Sequence, residues 1–474
     1  MRQSDTHEEK LVHDESGGSA REEFLTRPLG RLLGRHASPA VASMAFLALY
    51  QIVDGIMVGR SLGPEAMAAV NVLYPVVALV SGLAVMIGTG GNARIAVLLG
   101  AGKPREAGGV LSTIVALGVG LGVVGTAAAM LFGRQLLGLL GTSGSLEGFA
   151  AGYLNGILPF FTLMIVGFIL EQSVRNDGKP NLASGVMAGC ALLNIGLDYL
   201  FLFVLGFGIS GAAMASGISQ SVGAIVFLSY FVAKTVKRQR GLRFARLDAS
   251  RTTLRAVVVN GSSELFNSVS AGVTTFLFNR MILLYVGALG VAALTVVQYP
   301  IMLGVMVVMG IGSGSQPILS YNHGAGLTHR VRGTLVRAIL VSAGIGVVIF
   351  VVMGAPARAL AELFLPGHAE AQALTHQVAS IVRWSVPFMP VAMIASVYFT
   401  ALEQAGRSLL IALARGLVLP IAGLLVLPSL WGATGIWLTA IFTEGIAVLI
   451  AVGCYVSHVR SARRTAPAPS PVAA

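Results

Sequence analysis

One carboxylate, Asp198, lies within the apolar run ALLNIGLDYLFLFVLGFG, residues 191–208, which is long enough to cross a membrane. An ionised Asp at the centre of a membrane helix costs roughly 2.5 to 3.5 kcal/mol on insertion scales, so such residues usually face a cavity or a bundle interior and have a function. Asn194 precedes Asp198 by one helical turn and shares its face. Because hard ions such as Na⁺ prefer oxygen ligands, this pair is a candidate cation site.

Other acidic side chains lie in or beside apolar segments. Glu264, in NGSSELFNSV, is the main acid of this kind in the second half of the chain. Binding of a substrate or cation and a local polar role are its two open alternatives. Glu171 precedes Arg175 by four residues, and Glu403 precedes Arg407 by four, which is the favourable order for a helical ion pair. We expect structural pairing at the inner ends of two spans, and closure of an inner gate is the functional hypothesis.

The composition identifies the class of protein. Of the 474 residues 55% are hydrophobic and only 11% are charged, and the mean hydropathy is +0.81. Ordinary soluble domains have about 25% charged residues. A crossing helix needs about 20 mostly apolar residues, and the chain contains twelve such segments. The sequence therefore predicts an all-α polytopic membrane protein with twelve transmembrane helices.

Charge predicts the orientation, because Lys and Arg beside membrane helices accumulate on the cytoplasmic side. With a cytoplasmic N-terminus, the tails and even-numbered loops hold most of the 32 Lys and Arg, whereas the opposite loops hold Arg60, Arg134 and Arg358. We expect a multi-pass protein of the cell inner membrane with both termini cytoplasmic. The net charge of +12 is then a topology signal, and no nucleic-acid partner is expected.

The two halves of the chain repeat each other. Segments that begin on Tyr-Pro at Tyr74 and Tyr299, and three further pairs of segments, keep their order at an offset of about 224 to 232 residues. Two lobes of six helices, related by a pseudo-two-fold axis along the membrane normal, are the expected result. The predicted domains are a disordered or interfacial cytoplasmic tail (1–35), an N-lobe (36–233), a basic cytoplasmic linker (234–255), a C-lobe (256–458) and a cytoplasmic tail (459–474).

The glycines of GTGGN and GIGSG lie inside apolar spans, so we interpret them as sites of close helix packing. GAGKPRE lacks the glycine spacing and the hydroxyl residue of a phosphate-binding loop. No His-Glu or Ser-His constellation lies within the spans. We therefore expect neither an enzyme nor a cofactor.

Four segments together resemble the MATE (multidrug and toxic compound extrusion) transporters, and the run Gln316 to Ala325 is similar to one bacterial drug-efflux branch. The segments are VDGIMVGRSLGPEAMAAVN, RNDGKPN, NIGLD and GIGSGSQPILSYNHGAG. The resemblance covers residues 36–458. It implies a monomeric antiporter, surrounded by membrane lipids, whose lobes rock while it exports organic, often cationic, compounds in exchange for H⁺ or Na⁺.

The resemblance also implies two further cation ligands. The family's N-lobe cation site uses an Asp near the end of the first span and a hydroxyl in the sixth span, and Asp54 and Ser216 match those positions. Ser216 stands where a Thr is usual. A cap on the first span remains the alternative for Asp54, and helix-to-helix hydrogen bonding remains the alternative for Asn194, Asp198 and Ser216. The alternative function is a flippase of related fold for lipid-linked sugars or peptidoglycan precursors, which would use basic residues facing the cavity.

Overall fold

The computed structural model describes residues 21–139, 145–354 and 369–465, within which all regular secondary structure is helical. The terminal residues 1–20 and 466–474 and the expected outer-loop residue Arg358 lie outside the described residues. Residues 21–26 are helical and precede the first long helix.

After residues 21–26, fifteen α-helices follow one another along the described residues, and most of them are long enough to extend across a membrane. They are α1 (Leu29–Leu62), α2 (Pro64–Gly100), α3 (Pro104–Leu139), α4 (Ser145–Ile157), α5 (Phe161–Asn176), α6 (Pro180–Asp198), α7 (Gly208–Val236), α8 (Arg251–Tyr285), α9 (Ala288–Gly324), α10 (Thr328–Gly354), α11 (Ala369–Val382), α12 (Met389–Ala401), α13 (Ala405–Leu413), α14 (Leu419–Trp431) and α15 (Ala433–Thr465).

Helix boundaries follow local sequence signals. Gly63 ends α1 with a φ of 84°, and Pro64 is the first residue of α2. Proline is favourable there because the N–H of the first helical residue has no partner within the helix. Ser250 caps α8, because its side chain accepts a hydrogen bond from the N–H of Thr253. Only one residue, Gly63, separates α1 from α2, whereas residues 237–250 separate α7 from α8.

Ten helices in the described residues are long and apolar enough to cross a membrane, and the count is eleven if the pair Gln372–Ser385 and Met389–Ala401, bent by 41°, forms one span. The expected twelve spans are not confirmed by this count. The long helix α8 is not in the set, and it carries a polar stretch around Glu264. The first helix begins at Leu29, earlier than the expected lobe boundary at residue 36.

We refer to residues 21–236 as the N-terminal half and to residues 251–465 as the C-terminal half. The halves meet mainly where α2 packs on α8, where α1 packs on α9, and where α2 packs on α9. In the sequence repeat α1 corresponds to α8 and α2 to α9. The α2–α8 contact and the α1–α9 contact are therefore equivalent. Contacts within each half are also equivalent, since α1 packs on α6 and α8 packs on α13.

Helix irregularities recur in both halves. A 3₁₀ segment, Leu158–Phe160, separates α4 from α5, and another, Arg383–Ser385, lies between α11 and α12. A π-helical segment, Tyr199–Val204, follows α6, and a second one, Ala414–Val418, follows α13. Single π-helical turns occur often at functional sites. The first of them begins directly after Asp198.

Candidate functional site

The structure brings Asp54 and Asp198 together. Asp198 is the last residue of α6 and is fully buried at 0% exposure, while Asp54 lies half-buried on the neighbouring helix α1. Their carboxyl groups are close enough for a hydrogen bond once one of them carries a proton. The two acids of the N-terminal half therefore form one site.

Aromatic and amide side chains surround the two acids. Tyr50 lies one turn before Asp54 on α1, and its hydroxyl accepts a hydrogen bond from Nε2 of Gln220 at 3.2 Å. Tyr153 on α4 is near both carboxyl groups and near Tyr50. Three helices thus supply phenol and amide groups that can orient a bound ion or water beside the acids.

Asn194 and Ser216 complete the cluster. Asn194 shares the helix face of Asp198, as its spacing predicts, and its Nδ2 donates a hydrogen bond to Oγ of Ser216 on α7 at 3.2 Å. Both residues are buried, at 1% and 8% exposure. The structure therefore places all four predicted N-terminal residues in one region.

Several oxygen atoms of this cluster are buried and have no hydrogen-bond partner among the described residues. They are Oδ1 of Asp54, Oδ1 of Asn194, and Oδ1 and Oδ2 of Asp198. Burying such atoms unpaired is unfavourable. An oxygen-rich set of this kind fits a proton or a hard monovalent cation, and it does not resemble a transition-metal site. No group of three His, Cys, Asp or Glu side chains with metal-binding geometry occurs in the described part of the chain.

Glu264 lies apart from this cluster. It is half-buried on α8, where its side chain interacts with that of Asn267. Leu265, its neighbour in sequence, lies against Gly82 of α2, so Glu264 is next to the contact between the halves. The geometry is compatible with both sequence-based alternatives for Glu264.

Glu171 and Arg175 form an ion pair on α5, with 2.6 Å between Oε1 and Nη2. Both side chains are buried, and Nη2 of Arg175 also donates to Oγ of Ser43 on α1 at 3.0 Å. The predicted pairing is therefore present. The ion pair lies within α5, in the N-terminal half, and the hydrogen bond from Arg175 to Ser43 links α5 to α1.

Glu403 and Arg407 do not pair, which corrects the prediction from their spacing. The i, i+4 rule requires one continuous helix, but α12 ends at Ala401, and Glu403 has a φ of 57°. Glu403 instead pairs with Arg94 of α2, with 3.1 Å between Oε2 and Nη1. Arg407 donates to Oε1 of Gln404. The Arg94–Glu403 ion pair links the two halves.

Close backbone contacts accompany this ion pair. A Cβ atom on Gly90 of α2 would lie 2.1 Å from the carbonyl oxygen of Val257 on α8, and one on Gly261 would lie 2.0 Å from that of Met86. Only glycine permits such an approach, as the interpretation of GTGGN required. At these two positions the backbones of α2 and α8, which belong to opposite halves, are in direct contact.

The surface formed by residues 21–27, the ends of α2 and α9, and the linker 237–250 is here called the linker face. At this face Oη of Tyr321, on α9, donates to the carbonyl oxygen of Asn176 at 2.8 Å. The ring of Phe24 stacks on that of Tyr321 with centroids 4.3 Å apart. Arg330 donates to the carbonyl oxygens of Phe24 and Arg27 at 3.2 and 2.7 Å. The two halves are thus joined at the linker face.

The C-terminal half holds a different arrangement of charge. Arg415, in the second π-helical segment, donates from Nε to both carboxyl oxygens of Glu444 at 3.0 Å, and its Nη2 lies 2.9 Å from Oε1. This bidentate geometry is the strong form of a charge-assisted pair. In contrast, no ion pair engages Asp54 or Asp198 among the residues that the structure describes.

Sequence reasoning missed Tyr50, Tyr153 and Gln220 as neighbours of the acid cluster, and it missed the pairing of Arg94 with Glu403. The helical i, i+4 rule applied to Asp54 and Ser216 points to Tyr50 and Gln220. Tyr153 and the partner of Arg94 have no comparable local signal. Their contacts come from helices that are distant in sequence.

Comparisons with known proteins agree with this architecture. The family model described as MatE matches residues 39–200 and 265–425. The chain is 24% identical over 443 residues to the "Multidrug export protein MepA" of Staphylococcus aureus strain MRSA252, which covers 90% of this chain and 94% of the relative. It is 27% identical over 429 residues to the protein of that name from Staphylococcus saprophyticus, covering 87% and 90%.

Solved structures share the fold. One, described as the "Outward-facing conformation of a multidrug resistance MATE family transporter of the MOP superfamily", has a TM-score of 0.85 at 23% identity and covers 94% of this chain and 98% of its own. Another, a MOP superfamily transporter from Pyrococcus furiosus whose title concerns reverse polarity of the binding pocket, has a TM-score of 0.85 at 24% identity with the same coverage.

Proposed function

The chain belongs to the MatE family, and we propose that it is a secondary active antiporter that exports organic, chiefly cationic, drug-like compounds in exchange for H⁺ or Na⁺. The observation that carries this proposal is the pair Asp54 and Asp198, adjacent to each other and without a basic partner in the described residues. The names of the Staphylococcus relatives support export of several compounds.

The acid pair is proposed to be the coupling site. Two carboxylates side by side in a low-dielectric interior repel each other strongly when both are ionised. A proton or a Na⁺ between them relieves this repulsion, and the oxygens of Asn194 and Ser216 supply further ligands for Na⁺. Binding from one side and release to the other would then link the ion gradient to a conformational change. Each charge that crosses a 100 mV potential supplies about 2.3 kcal/mol, enough to concentrate a substrate roughly fiftyfold.

The conformational change is proposed to be rocking of two six-helix lobes, with twelve transmembrane helices in all. The equivalent contacts of α2 with α8 and of α1 with α9 support a pseudo-two-fold relation. The ion pair Arg94–Glu403 and the glycine contacts would separate when the linker face opens. Similarity to a structure described as outward-facing supports assigning the closed linker face to that state.

The proposed function also implies a membrane location, partners and an oligomeric state. The positive charge of the linker supports a cytoplasmic linker face in the cell inner membrane, with both termini on that side. The partners would be membrane lipids and small organic cations, and the working unit would be a monomer. Arg94 and Arg415 are engaged by Glu403 and Glu444, which disfavours the flippase alternative with free basic residues in the cavity.

The test is efflux of ethidium from vesicles under imposed pH and Na⁺ gradients. Asp198→Asn and Asp54→Asn keep the side-chain shape and remove the charge, and each is expected to lower gradient-driven efflux by at least about tenfold, since a neutral amide cannot exchange a proton. Glu147→Gln, at an exposed position of α4, is the matched control and should transport like the wild type.

Three results would contradict the proposal. Wild-type efflux by both Asp variants would remove the acid pair from the mechanism. Efflux that needs ATP and no ion gradient would exclude an antiporter. Movement of a lipid-linked sugar without any movement of ethidium would favour the flippase.

A further inference from the structure

A basic cavity of about 920 Å³ opens at the linker face. Its walls are the turn between α2 and α3, the linker after α7, and Tyr321 of α9. Its volume lies within the range of about 300 to 1,000 Å³ that is common for small-molecule sites. Six arginines line it: Arg21, Arg105, Arg238, Arg240, Arg243 and Arg246.

The backbone that carries the linker arginines is fixed to the N-terminal half. Oγ of Ser112, on α3, donates to the carbonyl oxygen of Ala245 at 2.8 Å, and Oγ1 of Thr113 donates to that of Asp248 at 2.9 Å. A Cβ on Gly108 would lie 2.3 Å from the carbonyl oxygen of Arg243, so the linker contacts the α3 backbone directly. These contacts hold the linker in one path, and the arginines therefore have defined positions.

The acid in the cavity wall does not neutralise these arginines. Asp177 is engaged by Nζ of Lys234 and Oη of Tyr230, each at 2.5 Å, and its Oδ1 accepts the N–H of Leu242 at 3.1 Å. Arg21 donates from Nη2 to the carbonyl oxygen of Gly100 at 3.1 Å.

Four of the arginines have no acid partner among the residues that the structure describes. Within residues 21–139, 145–354 and 369–465, no ion pair joins Arg105, Arg238, Arg243 or Arg246 to an acid. Several guanidinium groups thus share one concave surface, and no described acid forms an ion pair with these four.

The start of α3 adds to this field. Pro104 and Arg105, at its first turn, line the cavity, and the N-terminus of a long helix carries a partial positive charge and unpaired N–H groups. Guanidinium groups match phosphate oxygens through paired hydrogen bonds. The chemistry that fits the cavity is therefore an anionic phosphate group.

We propose that this cavity binds an anionic phosphate-bearing ligand, and that binding favours the closed linker face. The source is either an anionic lipid headgroup of the adjoining leaflet or a soluble phosphate compound. The cavity includes Tyr321 from the C-terminal half and Arg21 from the N-terminal segment, so a bound anion contacts elements on both sides of the contact between the halves. A ligand that binds one conformation better shifts the population toward it. This second part rests on the proposed alternating access, whereas binding itself does not.

Binding is tested with the purified full chain and two probes. Pyrophosphate, titrated by calorimetry in neutral detergent, represents the soluble source. Phosphatidylglycerol in phosphatidylcholine nanodiscs, with retained lipid counted by native mass spectrometry, represents the lipid source. Saturable binding of pyrophosphate identifies a soluble ligand, and selective retention of phosphatidylglycerol alone identifies a lipid site.

The variants remove charge from the cavity without removing the bonds that hold the linker. Arg243→Gln with Arg246→Gln is expected to weaken binding of whichever probe the wild type binds by about tenfold or more. Arg105→Gln, which changes the start of α3 and not the linker, should also weaken binding of that probe. Arg332→Gln with Arg337→Gln, on α10, removes the same charge outside the cavity and should bind like the wild type. Failure of the wild type to bind either probe, or equal weakening in the control, would overturn the proposal.

The conformational part has its own readout. Spin labels at Lys179→Cys and Thr328→Cys, exposed positions in opposite halves, report the opening of the linker face by double electron–electron resonance. The bound probe should increase the short-distance population in the wild type and not in the Arg243→Gln, Arg246→Gln variant. Saturated binding with an unchanged distribution would refute this part. A wild type that binds neither probe but still shows gradient-driven ethidium efflux would overturn this site alone, and a wild type that binds a probe without gradient-driven efflux would overturn the antiporter alone.

Discussion

The ion pair between Arg94 and Glu403 should stabilise the closed linker face, because its two members belong to opposite halves. At 3.1 Å and an effective dielectric constant of about 20, the Coulomb attraction is roughly 5 kcal/mol. The side chains are 34% and 23% exposed, so desolvation and lost side-chain entropy offset most of it. A net contribution of about 1 to 2 kcal/mol remains, intermediate between exposed and buried pairs. Removing the pair should therefore increase the ratio of open to closed molecules by roughly five- to thirtyfold.

A double-mutant cycle measures this contribution. Arg94→Gln, Glu403→Gln and the double variant are compared with the wild type by the distance distribution between spin labels on opposite halves. Each single variant should open the linker face, and the double variant should open it little further, since one interaction is lost in all three. The control cycle uses Arg415→Gln and Glu444→Gln, which remove a bidentate ion pair inside the C-terminal half.

The expected difference between the two cycles is specific. Loss of the Arg415–Glu444 pair should lower the melting temperature without changing the ratio of open to closed molecules. Strictly additive effects of Arg94→Gln and Glu403→Gln would show that their contact contributes nothing to closure. Equal opening in the control cycle would show that general destabilisation, and not a bond between halves, controls the equilibrium.

Three further outcomes follow from the structure. Gly90→Ala places a Cβ 2.1 Å from a backbone carbonyl of α8, so it should cost about 1 to 3 kcal/mol and open the linker face, measured by melting temperature and label distance. Phe24→Ala removes the ring stacked on Tyr321, and hydrogen exchange in residues 21–27 should become much faster. Hydrogen bonds from Thr253 and Ser250 lower the pKa of Asp248 below its ordinary value, so this stabilisation is present above about pH 4 and is lost as the pH falls further. Thr253→Val should raise that pKa and reduce the acid-induced fall in melting temperature between about pH 2 and 4.

The sequence was sufficient where local rules apply. Asn194 and Asp198 share a helix face because their spacing is one turn, and the glycines of GTGGN permit close helix contacts. The family resemblance located Asp54 and Ser216, which the structure places beside Asp198 and Asn194 respectively. In each case a residue's surroundings follow from its own helix or from a motif.

The sequence was insufficient where a helix ends without a sequence signal, so that the i, i+4 rule does not apply. Glu403 and Arg407 have the spacing of a helical pair, but the chain leaves the helix between them, and Glu403 adopts a left-handed conformation. No glycine or proline marks this break in the sequence between Ala401 and Ala405. The partner of Glu403, Arg94, is 309 positions away. Tertiary packing alone brings them together.

The repeat supports our proposal that ion coupling resides in the N-terminal half. Both halves contain a π-helical segment at the equivalent helix, so the duplicated scaffold offers two comparable sites. In the C-terminal half Arg415 lies in that segment and neutralises Glu444. In the N-terminal half the equivalent segment follows Asp198, whose neighbour Asp54 is another acid. A carboxylate that is already paired with an arginine gains little from binding a cation. Two adjacent carboxylates repel each other when both are ionised, and a bound proton or cation relieves this repulsion. The same fold thus gives the C-terminal half a structural ion pair and gives the N-terminal half two adjacent acids, on which the proposed coupling depends.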